Sequence, residues 1–283
     1  MTTTPDGAHA FLTALKAADP DPPPAASTAA RTGGSNGGRT GGSTGGAPAP
    51  AWLWRLARVL YAALPPDSAD GWAVRLAAAP YPPGLRAAHL WQETTVLPLL
   101  AAHIPPADRA ALATLGTLHR EAARGTPAAP DTWRAALEPA LRHLFDAAYD
   151  RPGAYAEAHR NARAYAVAAG HDPAEADAYG HAYARLSTEA GARDTADAHA
   201  EAVGRALAHA YATDCAQRYA DSWPDAHLRA VLRATAAPAT AAPVPAAPVP
   251  GVPGEPRQTP VTALAGGLLT ALGAAAGNAE KRI

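Results

Sequence analysis

The chain has 283 residues, a formal net charge of −1 and a pI near 6.8. It therefore lacks the basic excess expected of a general nucleic-acid or anionic-membrane binder. Its single cysteine, Cys215, excludes an intramolecular disulfide framework. Alanine fills roughly 28% of positions, far above ordinary usage, while lysine, phenylalanine and isoleucine occur twice each. That is the residue usage of a very GC-rich bacterial genome.

In chain order, residues 8–18 predict a short helix with Phe11, Leu12 and Leu15 on one face. Residues 19–50 follow, first proline-rich and then a repeated Thr-Gly-Gly-Ser pattern at 32–46, which reads as a disordered tether. Residues 51–236 carry helix signals throughout and no alternating Val/Ile/Thr run, so a sheet is not expected. Within them the spacing predicts helices at 52–64, after Asp67 to 79, 83–102 with strain near Pro98, 106–120 and 133–149 after Asp131. Further helices are predicted at 155–169, from Asp172 to Gly191, from Thr195 to Tyr219, and from Ser222 to 236. The strongest start signal is Asp172-Pro173-Ala174-Glu175, an N-cap, a first-position proline and a reciprocal glutamate. Residues 237–260 form a second, Pro/Ala/Val-rich tether. Residues 261–283 close the chain with an apolar stripe of Leu264, Leu268 and Leu272, and Thr259-Pro260 gives a helix start.

The expected fold is all-α: an alanine-rich helical bundle over 51–236, flanked by disordered Gly/Ser- and Pro-rich tails that add almost no core. Seven of the nine tyrosines lie between 149 and 219. Those at 155, 165, 179 and 183 are expected to fill the gaps that alanine leaves between helices.

Constellations that could carry chemistry are sparse. Asp177 and His181 share a helix face at a spacing of four, and Asp194, Asp197, Glu201, His199 and His209 share a predicted helix. A di-iron bundle needs Glu-x-x-His, which is absent, so no metal and no cofactor are expected. His89 and Glu93, with His103 and His119 on neighbouring stretches, offer a possible acid–base seam without an evident nucleophile. The glycine clusters at 33–46 follow no strand and contain no Gly-Lys-Ser/Thr, so they are linker. Arg205 and His209 match a helical ribonuclease only weakly. Arg229 and Arg233 are too few for a recognition helix.

The expected function is that of a cytoplasmic, non-catalytic adapter. It docks a protein partner, or another copy of itself, through Phe11, Leu12, Leu15, Leu264, Leu268 and Leu272 on tethered ends. A ligand- or metal-binding bundle is the alternative. A membrane tether through 261–277 is a further one, since that stretch is uncharged but shorter than a usual span.

Overall fold

A computed structural model describes residues 5–17, 49–103, 109–236 and 259–277. The described residues form twelve α-helices and one π-helical segment, with no strand. The fold is all-α, as the sequence predicts. Both tethers fall almost wholly outside the described residues.

Helix α2 (Ala51–Ala63) is the centre of the body. Trp52, Leu53, Trp54, Leu56, Ala57, Val59 and Leu60 are all buried, so the helix is apolar nearly all round and must be surrounded. Helix α3 (Pro66–Ala77) starts with proline in its first turn; Asp67 lies inside that turn instead of capping it. Next come α4 (Arg86–Trp91), a π segment (Gln92–Val96) and α5 (Leu97–His103), which run on as one rod. Pro98 explains the widened turn. It has no N–H to give the carbonyl four residues back, and the ladder shifts so that the Leu97 N–H reaches the Gln92 carbonyl. The shift aims Gln92 and Trp91 into the core.

Helices α6 (Arg109–Ala123) and α7 (Pro130–Ala148) follow, then α8 (Arg151–Ala168) and α9 (Pro173–Ala212). Asp172 caps α9 as expected, accepting from the Ala174 and Glu175 N–H groups at 2.8 and 2.9 Å. The expected break at Gly191 does not occur, and α9 runs for 40 residues, about 60 Å. Gly191 is there for contact: a Cβ at that position would sit 2.8 Å from the Tyr149 hydroxyl. The helix ends near Asp214, whose positive φ of 46° turns the chain into α10 (Ala216–Asp221) and then α11 (Pro224–Ala236).

A single ridge organises α9. Ala176, Gly180, Ala184, Thr188, Ala192, Ala196, Ala200 and Gly204 recur every fourth residue, and all are buried. A small-residue ridge along the i±4 rows lets a partner helix approach closely. The C-terminal half of α9 lies along α7, with Gly204 against Glu138 and Leu141, and Phe145 against His199. The N-terminal half lies along α8, whose substantial contacts are all with α9. Together α8 and the first half of α9 make a two-helix arm reaching beyond the body.

The terminal segments are part of the core, which corrects the expectation that they add almost nothing to it. Helix α1 (Pro5–Lys16) buries Phe11 and Leu15, with Leu12 packed beside them. Its Phe11 ring meets Trp54 edge-on at 5.2 Å, and Lys16 pairs with Asp70 at 2.7 Å. Helix α12 (Pro260–Gly277) buries Leu264, Leu268 and Leu272 completely or nearly so. Two tryptophans fasten it: the Trp72 and Trp91 indole N–H groups donate to the Ala265 and Leu264 carbonyls at 2.9 and 3.0 Å. By length and composition α12 could cross a membrane, yet its leucine stripe is covered by this chain's own helices.

Candidate functional site

Two polar clusters stand out, one inside the body and one on the arm. The inner cluster forms where α4, α6, α7 and α9 meet. His89 of α4 and His119 of α6 approach with their Nδ1 atoms 2.9 Å apart, one donating to the other. Trp133 and Tyr211 close the group, with the Trp133 ring stacked 5.8 Å from His89 and Tyr211 4.9 Å from Trp133. Behind them the Tyr219 hydroxyl shares hydrogen bonds with Gln92 and Tyr211. Burial sets the protonation states. Desolvation lowers His89 and His227 to about 4 and holds His119 well below its ordinary range. It also raises Tyr219 to about 12 and pushes Tyr211 up.

All five groups are therefore uncharged at neutral pH. The adjoining cavity, lined by Gln92, His119, Tyr211 and His227 among leucines, has room for about one water. Among the described residues these imidazoles are packed in the core. Glu93, the expected partner of His89, instead accepts from the Arg120 Nε at 2.7 Å. His103 turns back to the Leu99 carbonyl at 2.9 Å.

On the arm, the small ridge of α9 faces α8, and the residues one before and one after it point about 100° to either side. One side carries Asp177, His181, Arg185 and Glu189, joined from α8 by Tyr155, His159 and Arg163. His159 Nε2 lies 3.3 Å from Asp177 Oδ1, His181 Nε2 lies 3.4 Å from Oδ2, and Arg163 Nε lies 3.6 Å from Oδ1. The Tyr155 hydroxyl and His181 Nδ1 are 2.7 Å apart. This is the polar face. The spacing of Asp177 and His181 was legible in the sequence; His159, which joins them from another helix, was not.

The opposite side of the arm is aromatic. Tyr179 and Tyr183 stack at 6.4 Å, and Tyr165 of α8 meets Tyr179 at 6.5 Å. Tyr165, Tyr179, Tyr183 and Leu186 are 68, 45, 49 and 69% exposed. The expectation that these tyrosines are core anchors is corrected: a hairpin only two helices thick has no third layer to cover them. Tyr155 is half-buried on the polar face, and the buried tyrosines are Tyr211 and Tyr219. Of the other candidates on α9, Asp197 pairs with Arg142 and Glu201 with Arg205 at the surface, while His199 Nδ1 bonds the Thr195 carbonyl.

Comparison with known proteins finds no matching family model, no matching curated protein and no matching solved structure. The six residues expected to dock a partner, Phe11, Leu12, Leu15, Leu264, Leu268 and Leu272, all lie in or against this chain's own core. An external partner could use them only by displacing α1 or α12.

Proposed function

We propose that the protein is a non-catalytic helical interaction module whose binding surface is the aromatic face of the α8–α9 arm, and that the occupant of this face is a second copy of the chain. The observation that carries the reading is the exposed row of Tyr165, Tyr179, Tyr183 and Leu186 on a two-helix layer. Between its helices the arm buries only Ala, Gly and Thr on the α9 side, so little apolar area is gained within one chain. Laying two arms face to face about a two-fold axis makes four helices with the tyrosines inside, an isologous contact of the kind common in homodimers.

The area is adequate. A tyrosine can bury on the order of 150–250 Å², and about half of that is open at each ring. The three tyrosines, Leu186 and their neighbours, counted on two arms, give roughly 1,000 Å², the lower bound for a specific interface. A net charge of −1 per chain adds almost no repulsion. The inner histidines, uncharged and packed among leucines and aromatic rings, support the non-catalytic part of the reading. The burial of Leu264, Leu268 and Leu272 supports α12 as a core helix over a membrane tether.

Light scattering on the full chain tests this. The expected mass is twice 28.8 kDa. A single species of one chain mass at micromolar concentration overturns the self-association.

A further inference from the structure

On the polar face of the same arm we propose a Zn²⁺ site formed by His159, Asp177 and His181, with its fourth position open to water or a small anion. The proposal does not depend on whether the aromatic face binds a second copy, because the two faces lie on opposite sides of the hairpin.

The donor set is the first support. Two imidazoles and one carboxylate suit zinc, and three protein ligands with a free position are the arrangement of an accessible zinc site. The ligand atoms of all three residues lie within 4.8 Å of one another. Tetrahedral zinc with bonds of 2.0–2.1 Å separates neighbouring ligand atoms by about 3.4 Å. Asp177 Oδ1 stands 3.3 Å from His159 Nε2, and its Oδ2 stands 3.4 Å from His181 Nε2, so each imidazole already lies at that spacing from the carboxylate, each through a different oxygen. Asp177 and His181 are about half exposed, so they can rotate to bring one carboxylate oxygen and both Nε2 atoms around a common centre.

The second support is the state of the imidazoles. His159 Nε2 is buried and makes no hydrogen bond, although Asp177 Oδ1 is near. The Tyr155 hydroxyl and His181 Nδ1 lie 2.7 Å apart; in the tautomer whose Nδ1–H donates to that hydroxyl, the Nε2 lone pair is turned toward Asp177 Oδ2. Lone pairs facing a carboxylate repel unless a cation lies between them. A hydrogen bond fixing the far nitrogen of a ligating histidine is also the usual outer-shell device at zinc sites. Gly180 is the third support. A Cβ there would come within 3.0 Å of His159 Cδ2, so the glycine lets the ring lie flat against α9 beside Asp177.

The open position faces a shallow, solvent-open depression walled by Tyr155, Arg160 and Arg163. The two guanidinium groups favour an anion there over a neutral ligand. Arg163 also approaches Asp177 Oδ1, leaving Oδ2 as the oxygen better placed for the metal.

A proton shared between an imidazole and Asp177 is the competing arrangement, and it predicts no zinc uptake. Calorimetric titration of the tag-free full chain with Zn²⁺ decides between them. One equivalent should bind with a dissociation constant in the micromolar range or tighter, and Co²⁺ should give the visible band of a tetrahedral site. Asp177→Asn and His181→Gln should each abolish stoichiometric uptake. Tyr155→Phe, which removes only the outer hydrogen bond, should weaken it about tenfold. Gly180→Ala, which strengthens the helix but displaces His159, should weaken it while circular dichroism stays unchanged. Absence of stoichiometric uptake by the wild type, or wild-type affinity in both Asp177→Asn and His181→Gln, overturns the site.

Discussion

Acidification from pH 7 to 5 should destabilise this protein steeply, and the three buried histidines should be the cause. Burial keeps His89 and His227 near 4, against an ordinary value of 6.5, and holds His119 well below that ordinary value too. The unfolded chain binds protons as pH falls through 6.5, and the folded chain refuses them until about 4. Each histidine's contribution is therefore complete above pH 6.5 and is lost progressively as pH drops toward 4. One pH unit is worth about 1.4 kcal/mol per group. At pH 5 His89 and His227 should each have lost about 2 kcal/mol, or about 4 kcal/mol together, with His119 adding in the same direction. That is a large part of a typical total of about 5–15 kcal/mol. Urea unfolding followed by circular dichroism at pH 5–7.5 measures it directly. Between pH 6 and 5 the slope should be at least about 2 kcal/mol per unit, and His227→Leu should lower it by about 1 kcal/mol per unit. A change smaller than about 1 kcal/mol between pH 7 and 5 would refute the reasoning, as would an unchanged slope in His227→Leu.

Other substitutions probe the packing. Leu268→Ala, at a completely buried site on α12, should cost about 2–5 kcal/mol in urea unfolding, and deleting residues 259–283 should lower the melting temperature further. Gly267→Ala would place a Cβ 2.2 Å from Thr95 Oγ1 and 2.8 Å from its Cβ. It should cost about 1–3 kcal/mol, and adding Thr95→Ala should recover most of that loss. Tyr219→Ala should destabilise by about 3–5 kcal/mol. Tyr183→Ala in dilute protein should stay within about 0.5 kcal/mol of wild type, because its ring faces solvent.

The helices were legible because alanine, the Asp172 cap and first-turn prolines are local signals that need no partner to be read. Three features were not. The continuity of α9 through Gly191 depends on the Tyr149 hydroxyl passing close to that glycine, a contact between distant residues. The burial of α1 and α12 depends on Trp54, Trp72 and Trp91 being placed to receive them, and an apolar stripe looks the same whether its target lies in the same chain or another. The tyrosines at 165, 179 and 183 share alanine surroundings with Tyr211. What separates them is whether a third helix lies behind the ridge. The every-fourth-residue run of small side chains from Ala176 to Gly204 was visible in the sequence and is the signal that could have announced one long helix with close neighbours. The arm's polar site was half legible, since Asp177 and His181 share one helix and His159 comes from another.

Sedimentation velocity on three full-length forms tests the interaction surface most directly: the wild type, a Tyr179→Asp/Tyr183→Asp variant on the aromatic face, and an Arg185→Ala control on the polar face. Wild type and control should sediment as dimers that dissociate on dilution, and the aromatic-face variant as a monomer with unchanged helical content. A wild type that is monomeric throughout, or a double variant that still sediments as a dimer, would contradict the account.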